Sequence, residues 1–139
     1  MSQLNPYLIF NGNAAEAMRF YERALDGKLD LMTNAQSPAA EKAPPGNEER
    51  IMHGRLVFDG GVLMAMDGMA GQPYEGMHGF TVALVYDNVP DAKRVFDALA
   101  EGGKVTMPWG KTFWAEGFGM LTDRFGTPWM INGQMTMQG

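Results

Sequence analysis

The chain has 139 residues, 45% of them hydrophobic and 19% charged, enough for one ordinary hydrophobic core and too few for two. A net charge of −5 with no basic run argues against a nucleic-acid partner, because displacing counterions from phosphates needs clustered Lys and Arg. The absence of cysteine removes disulfides, thiolate nucleophiles and cysteine zinc sites, and no segment nears the roughly 18 apolar residues of a membrane span. Met1 to Leu8 also lacks the basic start and apolar stretch of a signal peptide, so a cytoplasmic protein without membrane attachment is expected.

In chain order, Leu4 to Phe10 reads as a short strand, and Asn11-Gly12-Asn13 supplies turn and N-cap chemistry. From Ala14 to Leu25 the apolar residues Ala14, Ala17, Met18, Tyr21, Ala24 and Leu25 recur at helical spacing, and Gly27 is placed to end the helix. Lys28 to Met32 alternates like a strand, and Thr33 to Asn47 has no period and reads as a surface loop. Glu48 to Phe58 and Gly61 to Met66 read as a hairpin turned at Asp59-Gly60, and Asp67 to Gly76 is loop again.

The same order then starts over. Phe80 to Tyr86 is a strand, Asp87 to Pro90 a turn and helix start, and Asp91 to Glu101 a helix with Ala92, Val95, Phe96 and Leu99 on one face. Gly102-Gly103 closes it, and Lys104 to Met107, Phe113 to Thr122 and Thr127 to Asn132 supply three more strands. Laid over each other, Phe10-Asn11 meets Tyr86-Asp87, and Gly60 to Met64 meets Gly126 to Met130. An α+β fold follows: one domain, 1–139, of two βαβββ modules (about 1–67 and 78–135). Neither module covers the apolar face of its curved sheet alone, so the two are expected to pair over a shared interior with a ligand cleft between the copies.

This order, with Asn5-Pro6-Tyr7-Leu8-Ile9-Phe10, the helix end Phe20-Tyr21-Glu22-Arg23-Ala24-Leu25, His53-Gly54-Arg55-Leu56 and the stretch from Trp109 through Trp129, resembles the glyoxalase, bleomycin-resistance and extradiol-dioxygenase (vicinal oxygen chelate) superfamily. The nearest likeness is to its PhnB-like branch. The resemblance implies a curved, partly open mixed-sheet barrel with the helices on its convex face, a small-molecule site, frequent dimerisation and, in the superfamily's enzymes, a divalent metal held by His, Glu or Gln from the first and last strands of each module. Those places fall here at Asn5, Met64, Thr81 and Met130. An amide, a hydroxyl and two thioethers do not suit hard or borderline cations, so no metal and no other cofactor is expected.

Strand parity from Met64 and Met130 brings Tyr7, Met66 and Asn132 to the same interior, which would be apolar and sulfur-rich with few polar points. Trp109, Phe113, Trp114 and Phe118 read as an aromatic cluster able to stack on a planar ligand, and Arg55 shares parity with His53 for an anionic group. The candidate ligand-binding residues are therefore Asn5, Tyr7, Arg55, Met64, Met66, Thr81, Trp109, Trp114, Phe118, Met130 and Asn132. His53 and Glu116 are candidates for acid or base work, and His78 is the one other histidine. The expectation is a metal-free homodimer that binds a small apolar or aromatic molecule. The alternatives are an enzyme of the same fold, metal-dependent or acid–base, using non-standard residues, and a protein-interaction module.

Overall fold

The structure is a computed structural model that describes residues 2–37 and 45–137. Its elements are β1 (Tyr7–Phe10), α1 (Ala14–Leu25), β2 (Lys28–Thr33), β3 (Ile51–Phe58), β4 (Gly61–Asp67), β5 (Val82–Tyr86), α2 (Val89–Ala100), β6 (Lys104–Gly110), β7 (Ala115–Thr122) and β8 (Pro128–Met135). The chain divides into two compact units, Met1–Gly76 and Met77–Gly139, and each carries one βαβββ run. The fold is α+β, with two open four-stranded mixed sheets ordered β1-β4-β3-β2 and β5-β8-β7-β6. In each, the first and last strands of the module pair in parallel and the other neighbours run antiparallel. Of the expected loop Thr33 to Asn47, residues 38–44 lie outside the described residues. No helix among the described residues is long and apolar enough to cross a membrane.

In the first unit, alternation decides the faces. Leu8 and Phe10 are 2% and 0% exposed, whereas Tyr7 and Ile9, which alternate with them, are 45% and 48% exposed. The buried set, continued by Leu56, Leu63 and Ala65, lies under α1, whose Ala14, Ala17, Met18, Tyr21 and Leu25 form one buried stripe. Phe10 and Tyr21 meet with ring centroids 6.5 Å apart. Each large side chain so removed from water contributes about 1.5–3 kcal/mol, which is what holds this short helix to its sheet.

The start of α1 is held from a distance. Asn13 precedes it but makes no side-chain cap; Asp67, buried at the end of β4, accepts from the backbone N–H of Gly12 (2.8 Å) and Ala14 (3.0 Å) through Oδ1. Its Oδ2 accepts from Ile51 N–H at 2.9 Å, so one carboxylate joins the helix start to β3 and β4. At the other end the left-handed residue is Asp26 (φ 53), one position before Gly27, whose N–H donates to Glu22 O. Tyr74 closes the first unit by donating to Ile9 O at 2.8 Å. Burial, and secondarily the charge of Asp67, raises its phenol above the ordinary tyrosine range.

In the second unit, Leu121, Trp129 and Ile131 lie under Ala92, Val95, Phe96 and Leu99 of α2. This helix begins two residues earlier than its periodicity suggests, because Pro90 is tolerated in the first turn and Asn88 supplies the cap, accepting from Asp91 N–H at 2.8 Å. The β7–β8 turn is tied by Asp123, buried like Asp67. Its Oδ1 accepts from Phe125 N–H (2.8 Å) and Thr127 N–H (3.1 Å), and its Oδ2 from the Trp129 indole N–H (2.8 Å).

Candidate functional site

With one face of each sheet filled by its helix, the chemistry available to a ligand is on the other, open face. In the first unit the strand register sets Tyr7, Met64, Arg55 and Asp30 side by side across all four strands, and Ile9 beside Met66 in the next row. His53, opposite Met32, lies diagonally from Tyr7 across β4. The Tyr7 hydroxyl and His53 Nδ1 are 2.9 Å apart, with the rings 5.8 Å between centroids and inclined at 48°. Arg55 is exposed and takes part in none of the ion pairs among the described residues. Asn5 is half-buried just before β1.

In the second unit, Ala83, Met130, Met120 and Met107 make one row, and Val85, Asn132, Phe118 and Gly110 the next. Trp114 lies across the second row. Its indole N–H donates to Asn132 Oδ1 at 3.1 Å, and its ring meets Phe118 edge-on at 5.1 Å and Phe113 edge-on at 4.8 Å. Under this cover Phe118 and Asn132 are 4% and 5% exposed, whereas Phe113 is 77% exposed. Thr81 is half-buried ahead of β5.

Trp109 does not join the other aromatics. The β6–β7 register shifts between Met107 and Gly110, and this irregularity turns Trp109 to the helix side, where it meets Phe96 at 5.2 Å and lies against Gly117. The expected four-ring cluster is therefore Phe113, Trp114 and Phe118, with Trp109 half-buried on the helix side beneath α2. Glu116 pairs with Lys111 at 3.3 Å, and His78 is exposed in the segment before β5.

The sequence reading missed the Tyr7–His53 hydrogen bond and the two buried aspartates. Parity alone puts Tyr7 and His53 on one face, but only the register of β1 and β3 on β4 makes them diagonal neighbours.

The two places of the first unit where the resemblance puts metal ligands hold Asn5 and Met64, and those of the second hold Thr81 and Met130. Met64 and Met130 lie on the open faces of β4 and β8, beside Tyr7 and Ala83. This set offers no imidazole and no carboxylate, so it does not fit a hard or borderline divalent ion. Among the described residues, no group of three or more His, Asp or Glu side chains could hold one elsewhere.

Comparison with known proteins bears on the family and the fold. Residues 3–131 match the family model for the Glyoxalase/Bleomycin resistance protein/Dioxygenase superfamily. Protein YjdN of Escherichia coli K12 is 39% identical over 138 residues, covering 93% of each chain. The crystal structure of protein PA1353 from Pseudomonas aeruginosa superposes with a TM-score of 0.87 at 48% identity, covering 95% of this chain and 97% of that one. A Bacillus cereus PhnB protein, described as a putative 3-demethylubiquinone-9 3-methyltransferase, shares the fold at a TM-score of 0.75 and 24% identity, over 94% of this chain and 98% of that one. The chain belongs to the Glyoxalase/Bleomycin resistance protein/Dioxygenase superfamily.

Proposed function

We propose that the chain is a small-molecule-binding protein of the glyoxalase and bleomycin-resistance type that works without a resident divalent metal and takes a largely apolar or aromatic ligand on its open sheet faces. The observation that carries this reading is the Trp114, Phe118 and Asn132 group beside the row of Met107, Met120 and Met130. Half-buried Trp114, held by Asn132 and backed by Phe118, gives a planar ligand flat apolar surface together with exposed Phe113, and the thioethers adapt to its outline. The replacement of every expected metal ligand by Asn, Thr or Met supports the metal-free part of the reading.

Metal analysis of the purified protein, with melting scans against zinc, nickel, manganese and iron, tests that part. The expected result is no stoichiometric metal and no shift; a bound equivalent with a raised midpoint overturns it. For the ligand, saturation-transfer NMR and melting scans with the neutral planar probe 2-naphthol should show saturable binding that weakens in Trp114→Ala. A homodimer in the cytoplasm is the assembly and compartment this reading assumes. A monomer by light scattering at micromolar concentration removes the dimer from it.

A further inference from the structure

The open face of the first sheet differs in character from that of the second. Its two cations, Lys28 and Arg55, and the imidazole of His53 share the face with one carboxylate, Asp30, in a chain whose net charge is −5. Asp30 stands opposite Arg55 in the register, yet Arg55 forms no ion pair among the described residues, which leaves its planar fork of donors available. The Tyr7 hydroxyl, 2.9 Å from Nδ1, fixes the neighbouring imidazole. With the phenol donating to Nδ1, the ring carries its proton on Nε2, turned away from Tyr7 as a further donor. Alternate residues of a strand are about 7 Å apart, so the guanidinium and imidazole of Arg55 and His53 can converge on one bound group. Exposed Ile9 and Val57, with Met64 and Met66, give apolar surface around them.

We propose that Arg55 and His53, with Tyr7 positioning the imidazole, form a site for the oxyanion of an organic ligand, a carboxylate or phosphate joined to an apolar body. The proposal rests on the reading of the open faces as ligand-binding surfaces and adds the ligand's charge. Arg55 supplies paired N–H donors to the oxyanion, His53 a third through Nε2, and the methionines and Ile9 contact the body.

The test uses the full chain with ¹⁵N-labelled histidine. Only two histidines are present, so His78→Asn assigns both ring spectra. Benzoate and phenyl phosphate are titrated against the neutral analogue benzamide, with melting scans alongside. One or both anions should shift the His53 ring nitrogens saturably while benzamide does not, and the stronger of the two identifies the oxyanion. Arg55→Gln should weaken that binding about tenfold, the usual effect of losing a charge-assisted hydrogen bond, and keep the wild-type melting point because the side chain is exposed. Tyr7→Phe should change the Nδ1 resonance even without ligand. Benzamide shifting His53 as strongly as benzoate, or Arg55→Gln binding as tightly as wild type, overturns the oxyanion site and leaves the small-molecule reading standing. If 2-naphthol binds but neither anion does, the site is overturned alone; if no probe of either charge binds anywhere, both readings fall.

Discussion

Replacing Asp67 by Asn changes one atom of a buried junction, and its cost follows from the three hydrogen bonds the carboxylate accepts. Oδ1 serves Gly12 N–H and Ala14 N–H, and Oδ2 serves Ile51 N–H at 2.9 Å. In Asp67→Asn the amide oxygen can keep the first pair, now without charge assistance, at a loss of about 0.5–1 kcal/mol each. The amide NH2 then faces Ile51 N–H, donor against donor, and leaving that buried group unpaired costs about 1–3 kcal/mol. Relief from burying a charge offsets part of this, so the expected net is about 2–3 kcal/mol, with Asp67→Ala nearer 4 kcal/mol because the helix start loses its acceptor as well. Urea unfolding followed by circular dichroism should show an earlier midpoint, with slope unchanged if the denatured state is unaffected. Amide exchange should accelerate at Gly12, Ala14 and Ile51 before the rest of the chain. Asp67→Asn with wild-type stability within about 0.5 kcal/mol, or with unchanged exchange at those three amides, refutes the account.

Four other substitutions separate parts of the fold. Tyr74 titrates above its ordinary value of 10.0 in the folded chain, so the folded state holds the proton more tightly than the unfolded one. Its contribution is complete below about pH 10 and is lost as pH rises through the raised value; Tyr74→Phe should flatten that alkaline decline in a melting-point profile. Gly133→Ala would place a methyl 2.8 Å from Ala92 Cβ and 3.1 Å from Val89 Cα, forcing α2 off its sheet at a cost of about 1–3 kcal/mol by chemical denaturation. Gly110→Ala meets nothing within 4 Å and should melt like wild type. Asn88→Ala removes a local cap and should cost about 1 kcal/mol, visibly less than the loss of Asp67.

What the sequence made legible was periodic. The helix expected over Ala14 to Leu25 is found with those bounds, and the parity that puts Met64 and Met130 on one face leaves Leu63, Trp129 and Ile131 for the other, where they are 2%, 1% and 0% exposed. Strand starts were less legible. The first strand, expected from Leu4, begins at Tyr7; the third, expected from Glu48, begins at Ile51, after a turn in which Arg50 N–H donates to Asn47 O. Trp109 shows why the candidate site was only partly readable. Alternation counted from Met107 puts it on the open face, and a register shift, which no local pattern encodes, puts it under α2. The Tyr7–His53 contact and the Asp67 cap depend in the same way on pairings 46 and 53 to 55 residues apart in the chain.

The register also allows the two units to be compared position by position, and the comparison bears on where function lies. On the helix side the pairs match in kind: Leu8 and Phe10 answer to Leu84 and Tyr86, and Leu63 and Ala65 to Trp129 and Ile131. Gly54, opposite Ala65, and Gly119, opposite Ile131, occupy the same place. A methyl on Gly54 would reach 3.0 Å from Leu31 Cδ2, and one on Gly119 would fall on the Phe96 ring. The one helix-side exception is physically compensated: Asp67 and Gly133 are equivalents, and the unit that caps its helix locally through Asn88 brings α2 down on the strand, leaving no room for a carboxylate. On the open side there is no such agreement. Arg55 answers to Met120 and His53 to Phe118, while Tyr7 and Ile9 answer to Ala83 and Val85. Packing against a helix restricts the first set to a few shapes, and nothing in the core restricts the second. Charge and hydrogen-bonding groups on one open face, and aromatic rings with thioethers on the other, are therefore choices the fold does not require, and on the proposed function the difference between the two faces belongs to what each of them would bind.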